Sequence, residues 1–221
     1  MKIFLPILDN GGGSVKTAYM ESVLQAFGSG GYNVFIKRAS DSHPNRGMNK
    51  ITADFLESDC DEMLVIDGDI VFGRQQIDFL FEHDLPLVYG AYPKRQREMA
   101  LCLCTLDGFV PDPAAKLIEV RRAGRGFMRV HRKVFENMRA LPGSTVAGNV
   151  FARFYENHGR PEWSFWDSGV VGGSMSQLDD GAPEWLSEDW LFCERARALG
   201  YRIMVDQRIH LGHVGDIQFP V

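Results

Sequence analysis

The sequence is poor in cysteine and in long apolar runs. Its four cysteines show no CxxC spacing, which argues against a disulfide framework and favours reduced thiols in a cytoplasmic protein. The N-terminal apolar run IFLPIL is far shorter than the roughly 18 residues that span a bilayer, and no small-residue cleavage site follows it. We therefore expect a cytoplasmic protein without a transmembrane segment.

The chain also lacks an excess of positive charge. Its 24 lysines and arginines face 29 acidic residues, for a net charge of −5. Nucleic acids and anionic membranes select clustered basic side chains, so we expect no nucleic acid as the main partner. Two local basic segments, KRQR at 94–97 and RRAGR at 121–125, are interpreted as solvated turns.

A third absence is a true P-loop, although LDNGGGSVKT at 8–17 is glycine-rich and follows an apolar run. A P-loop ends in Gly-Lys-Ser/Thr, whereas Val15 precedes the lysine here. We predict an N-cap at Ser14, an exposed position for Lys16, and phosphate binding elsewhere in the chain.

Short apolar segments alternate with amphipathic ones up to Pro93. This alternation predicts an α/β fold with a mostly parallel central sheet that is flanked by helices on both faces. After Pro93 the segments MALCLCTL and AKLIEVRR predict a smaller antiparallel part. A content of 45% hydrophobic residues suits one core, so we expect a single domain over 1–221.

The segment LVIDGDIVF at 64–72 carries the most informative chemistry. A buried strand ends at Asp67-Gly68-Asp69, where a parallel sheet presents its carboxyl edge to ligands. Residues two apart in an extended segment face one side, so both carboxylates can address one divalent cation. A polar strand-to-helix turn is the alternative, since Asp and Gly are common in turns.

Three further features favour a site over a turn. His213 could add an imidazole ligand, and a mixed carboxylate-imidazole set suits Mn²⁺. Glu188 and Asp189 open a predicted helix, where they either complement the helix dipole or include a general base. Arg46, Asn49 and Lys50 open another predicted helix and could donate hydrogen bonds to a phosphate or a base.

These residues carry a family resemblance. The succession of residues 46–72, 85–95, 124–138 and 187–215 resembles the layout of GT-A-fold glycosyltransferases, especially the small family-2-like group of bacteria and phages. The resemblance implies a GT-A, Rossmann-like fold with a nucleotide and metal half (1–93) and an acceptor half (94–221). It further implies Mn²⁺ or Mg²⁺ as cofactor, a nucleotide-sugar donor, most often a UDP-sugar, and a hydroxyl acceptor on a glycan, a lipid-linked molecule or a protein.

Site roles follow from the same resemblance. Asp69 corresponds to the metal-binding second aspartate of the DxD motif, Asp67 to the aspartate near the ribose or the metal, and His213 to a further metal ligand. Asp189 corresponds to the base of inverting members, with Glu188 holding the acceptor. Four residues after the first two strands correspond to the nucleoside pocket: Pro6, Leu8, Ser40 and Asp41.

Other functions remain open at this point. A sugar-nucleotide pyrophosphorylase shares the fold, but DNGGGSVKTAYMESV lacks the arginine and the Pro-Lys pair of that group's first loop. A non-catalytic carbohydrate-binding module would use aromatic side chains of 142–186, which could equally fill the core. Those aromatic residues are Phe151, Phe154, Tyr155, Trp163, Phe165 and Trp166. Self-association into a homo-oligomer is left open by the sequence.

Overall fold

The structure is a computed structural model that describes residues 1–9, 15–94, 100–139, 152–157, 159–171, 183–215 and 218–219. The helices in these ranges are α1 (Thr17–Phe27), α2 (Pro44–Glu57), α3 (Arg74–Glu82), α4 (Arg132–Met138) and α5 (Glu188–Ala198). The strands are β1 (Lys2–Asp9), β2 (Asn33–Ser40), β3 (Glu62–Ile66), β4 (Ile70–Val71), β5 (Leu87–Tyr89), β6 (Leu103–Thr105), β7 (Leu117–Ala123), β8 (Phe127–His131), β9 (Phe154–Asn157), β10 (Arg160–Trp163), β11 (Gly169–Val171), β12 (Glu184–Leu186), β13 (Ile203–Asp206), β14 (Gly212–Val214) and β15 (Gln218–Phe219).

The central sheet has eight strands in the order β2-β1-β3-β8-β5-β13-β7-β6. The parallel neighbours are β1 with β2, β1 with β3, and β5 with β13. Strand β8 lies between β3 and β5 and is antiparallel to both, and β7 is antiparallel to β13 and β6. The predicted α/β fold is confirmed, with a sheet that is mixed because β7 and β8 oppose the other six strands.

Helices cover both faces of this sheet, as its apolar strands predict. In β3 the side chains of Met63 and Val65 enter one core, whereas Leu64 and Ile66 enter the other. This division follows from the alternation of side chains along an extended chain. Helices α2, α4 and α5 contribute to the first core and α1 and α3 to the second.

The predicted elements after Pro93 are also present. Strands β6 and β7 form the predicted antiparallel pair, and β8 runs directly into α4. Three small antiparallel sheets add to this part: β9 with β10, β11 with β12, and β14 between β4 and β15. Leu24 of α1 is 66% exposed, and the N-cap of that helix is Lys16 and not the predicted Ser14. The predicted N-cap Ser14 lies outside the described residues.

The aromatic residues of the 142–186 segment divide between core and surface. Phe165 and Trp166 are fully buried, and Trp166 stacks on Phe192 of α5 at 4.4 Å between ring centroids. Phe154 is exposed, and Phe151 lies outside the described residues. The core interpretation therefore holds for Phe165 and Trp166. In the described part of the chain, no helix is both long and apolar enough to cross a membrane.

A buried ion pair at the start of β3 makes stability depend on pH. Glu62 accepts a hydrogen bond from Arg129 Nη1 at 3.2 Å, and burial raises the pKa of Glu62 from 4.5 to about 7. The folded protein then holds this proton more tightly than the unfolded chain does. The associated stabilisation is complete below about pH 4.5 and is lost as the pH rises through 7.

When the pH is raised from 5 to 8, we expect the free energy of unfolding of the Glu62→Gln variant to increase by about 1–3 kcal/mol relative to that of the parent protein. Urea denaturation at both pH values measures this difference, and Glu21→Gln on the exposed side of α1 is the control. A difference between Glu62→Gln and the parent that stays constant with pH would contradict the assignment.

Candidate functional site

A cleft of about 450 Å³ lies at the carboxyl ends of β1 and β3. These two parallel strands are neighbours, so the residues that follow them meet at one edge of the sheet. The apolar wall includes Pro6, Leu8, Val15, Met48 and Val65. The charged residues in its lining are Asp9, Lys16, Asp67, Asp69, Arg125 and Glu188.

Asp69 and His213 are brought together by sheet pairing. Strand β4, which starts right after Asp69, pairs with β14 so that His213 lies opposite Ile70. The N–H of Val214 also donates to the carbonyl of Asp69 at 2.8 Å. The result is a distance of 3.5 Å between His213 Nε2 and Asp69 Oδ1. Residues 144 positions apart in the sequence thus meet at Asp69, which lines the cleft, whereas His213 lies behind it and is not part of the lining.

The imidazole of His213 has a defined orientation. Its Nδ1 donates to the carbonyl of Pro93 at 2.8 Å, since a carbonyl can only accept, and its ring meets Tyr92 edge-on at 5.4 Å. In the neutral imidazole this leaves the lone pair of Nε2 facing the Asp69 carboxylate. A carbonyl partner on the far nitrogen is the usual support of a metal-binding histidine.

Asp69 and His213 suit a hard divalent cation whose coordination is completed by a bound phosphate-containing molecule. Two ligands that are each about 2 Å from one ion lie about 3 to 4 Å apart, in keeping with the separation of Asp69 and His213. Among the described residues, no group of three His, Cys, Asp or Glu side chains is close enough to hold a metal alone. Mg²⁺ and Mn²⁺ commonly take one or two carboxylates and complete their coordination with phosphate oxygens and water.

Arg125 sits against the DGD segment, which corrects the expected solvated turn at 121–125. Its side chain is 11% exposed. The turn that carries it is pressed against Tyr92, because a Cβ on Gly124 would lie 2.4 Å from the Tyr92 hydroxyl oxygen and one on Gly126 would lie 2.7 Å from Cζ. Arg122 of the same segment is buried as well. Residues 95–97 of the other basic segment lie outside the described residues.

Two carboxylates compensate the charge of Arg125. Its Nη1 donates to Asp67 Oδ1 at 2.6 Å, and its Nε lies 3.6 Å from Glu188 Oε1. Burial alone would lower the pKa of Arg125, but the charges of Asp67 and Glu188 raise it above its ordinary value. The arginine therefore stays ionised and links the turn after β3 to α5.

Glu188 and Asp189 occupy different surroundings in the first turn of α5. Glu188 lines the cleft beside Arg125. Asp189 Oδ1 accepts hydrogen bonds from the Ser187 hydroxyl and from the Trp190 N–H. Its Oδ2 takes part in no hydrogen bond within the part of the chain that the structure describes. Burial raises the pKa of Tyr92 well above its ordinary value, and the charges of Asp67 and Asp189 raise it further.

The predicted nucleoside pocket is only partly assembled from the expected residues. Pro6 and Leu8 line the cleft. Ser40 does not line it, but its hydroxyl donates to Asp9 Oδ1 at 2.7 Å. Asp41 is buried and lies outside the cleft lining.

The three predicted donors of α2 are engaged elsewhere. Arg46 and Lys50 each contact Asp41 at 2.8 Å, and the Arg46 hydrogen bond, with help from Lys50, holds the pKa of Asp41 well below its usual range. Asn49 is buried and its Oδ1 accepts the N–H of Trp166 at 2.9 Å. In this arrangement the three donors brace α2, and neighbouring Met48 and Pro44 line the cleft instead.

Sequence reasoning missed Asp9, Arg125 and the position of Lys16 in the cleft. Asp9 is 3% exposed, ends β1, and accepts from Arg38 Nε at 2.8 Å. A carboxylate at the end of a strand that neighbours the DGD strand was a usable signal. Arg125 carried no such signal. It reaches Asp67 because β8 pairs antiparallel with β3 and the turn before β8 carries Arg125. The local sequence does not determine this strand order.

Comparisons with known proteins address the fold. The crystal structure of A197 from STIV matches with a TM-score of 0.58 and 16% identity, covering 98% of this chain and 87% of that chain. The chain has a GT-A-like fold. At this identity the match shows the fold alone. No family model and no curated protein matches the sequence.

Proposed function

We propose that this protein is a metal-dependent glycosyltransferase that moves a sugar from a nucleotide-sugar donor to a hydroxyl acceptor with inversion. The observation that carries the proposal is the pairing of Asp69 with an oriented His213 at the carboxyl edge of a GT-A-like sheet. A UDP-sugar is the expected donor, and the acceptor hydroxyl belongs to a glycan, a lipid-linked molecule or a protein.

The charge of the cleft supports a cation beside a diphosphate. The lining holds four carboxylates against two cationic side chains. The carboxylates are those of Asp9, Asp67, Asp69 and Glu188, and the cations are Lys16 and Arg125. Arg125 is already shared by two of these carboxylates. A diphosphate therefore needs a further positive charge in order to bind, and Asp69 and His213 are the residues that would hold it. When bound, Mn²⁺ or Mg²⁺ would stabilise the charge that develops on the leaving diphosphate.

The chain's own residues provide the remaining functions. Pro6 and Leu8 form an apolar wall beside the buried Asp9, which suits the nucleoside end of the donor. Asp189 is not part of the cleft lining. One of its oxygens accepts from Ser187 and Trp190, and the other would take the proton of an attacking hydroxyl. Glu188 lines the cleft on the same helix turn and would hold the acceptor.

Calorimetric titration of UDP-sugars and GDP-sugars, with and without Mn²⁺, tests the proposal. We expect binding of one nucleotide class in the presence of Mn²⁺, and weak or no binding after chelation. Release of a free nucleoside diphosphate during turnover would then indicate transfer, whereas formation of nucleotide-sugar and pyrophosphate from a nucleoside triphosphate and a sugar phosphate would indicate a pyrophosphorylase. Absence of nucleotide binding under both conditions would reject the proposal.

A further inference from the structure

Arg125 lies between two carboxylates that belong to distant parts of the chain. Asp67 follows β3, whereas Glu188 opens α5. The contact with Asp67 is a hydrogen-bonded ion pair of 2.6 Å, but Nε is 3.6 Å from Glu188 Oε1. This Nε is buried and has no hydrogen-bond partner within the described part of the chain. The guanidinium therefore donates a hydrogen bond to Asp67 but donates none to Glu188.

Asp67 lines the same cleft as Asp69, two residues away in the DGD turn. We take Asp67 as a further ligand of the cation in the proposed function, on which this inference rests. A guanidinium cannot lose its proton in a protein. A divalent cation that approaches Asp67 therefore meets a fixed positive charge already bound to Oδ1. Two cations bound to one carboxylate repel each other.

We propose that Arg125 is a resident counter-ion which competes with the divalent cation for Asp67, and that cation binding shifts its guanidinium towards Glu188. The unpartnered Nε gains a hydrogen bond in that shift, because Glu188 Oε1 is only slightly beyond hydrogen-bond distance. An unpaired buried donor is costly, so the shift satisfies a group that is unsatisfied in the cation-free arrangement.

This exchange links the two halves of the site. Glu188 is adjacent to Asp189 at the start of α5. A guanidinium that moves from Asp67 to Glu188 would fix this helix turn only after the cation has bound. Arg125 is accordingly a positioning residue that favours binding of the donor complex before the acceptor.

The test measures Mn²⁺ binding to the purified protein without donor, by the electron paramagnetic resonance signal of free Mn²⁺. We expect Arg125→Gln to bind Mn²⁺ about fivefold more tightly than the parent protein, since one competing ion pair is removed. Arg125→Lys keeps the charge and should stay close to the parent. Arg121→Gln is the matched control, because Arg121 pairs with Glu194 and does not line the cleft.

A double-mutant cycle separates competition at Asp67 from a general charge effect. In an Asp67→Asn background, most of the gain from Arg125→Gln should disappear, because the shared carboxylate is gone. Arg125→Met, which keeps the apolar stem, replaces Arg125→Gln if circular dichroism shows that the glutamine variant is unfolded. Unchanged or weaker Mn²⁺ binding by the folded variant would overturn the competition while leaving the cation site intact. Lack of Mn²⁺ binding by the parent and all variants would also overturn the competition, and the same titration with UDP present would then decide whether the cation site of the proposed function exists.

Discussion

Replacing Asp69 with alanine is expected to abolish Mn²⁺-dependent donor binding and to lower transfer by about 100-fold or more. Asp69 lies on the turn between β3 and β4, and its carboxylate is 3.5 Å from His213 Nε2. Among the described residues, this contact joins a histidine ring of defined orientation to a carboxylate that lines the cleft. The substitution leaves Nε2 without its acidic neighbour and leaves the diphosphate without the cation that offsets its charge.

The measurement combines calorimetry of donor binding with Mn²⁺ titration of the same preparation. His213→Ala should also weaken Mn²⁺ binding. Asp59→Ala is the control, because Asp59 is exposed and is not part of the cleft lining. An Asp69→Ala protein that binds donor with unchanged Mn²⁺ dependence would show that the cation is held elsewhere.

The sequence predicted the framework of the fold because the relevant signals are local. Apolar segments that alternate with amphipathic ones follow from burial of both sheet faces. The predicted strand before Asp67 is β3, and the predicted helix that carries Arg46, Asn49 and Lys50 is α2. The position of β8 between β3 and β5 was not predictable in this way. It depends on which strand pairs with which, and a strand's own residues do not specify its neighbours.

In the candidate site, too, residues with a local sequence signal could be predicted and residues that depend on tertiary contacts could not. The DGD turn was recognisable because it directly follows a buried strand, and His213 because glycines flank a potential ligand. The predicted phosphate donors Arg46 and Lys50 showed a suitable type and spacing, yet the nearby Asp41 engages both. Sequence spacing cannot show that a side chain is already bound by a neighbour, and this is also why Arg125 was interpreted as solvated.

Substitution should distinguish the roles of the two acidic residues at the start of α5. We expect Asp189→Asn to retain donor binding and to lower the transfer rate by about 10²- to 10⁴-fold, because the amide cannot accept the proton of the acceptor hydroxyl. Its hydrogen bonds from Ser187 and Trp190 can persist through the amide oxygen.

Glu188→Gln serves as the neighbouring comparison, since its carboxylate contacts Arg125 and lines the cleft. If Glu188 holds the acceptor, this variant should raise the acceptor KM more than it lowers kcat, whereas Asp189→Asn should mainly lower kcat. Steady-state kinetics with varied acceptor at saturating donor distinguishes the two patterns. Transfer at the parent rate by Asp189→Asn, together with a loss of kcat in Glu188→Gln, would reverse the assignment. The base would then be Glu188, whose carboxylate already lies in the cleft lining beside the guanidinium of Arg125.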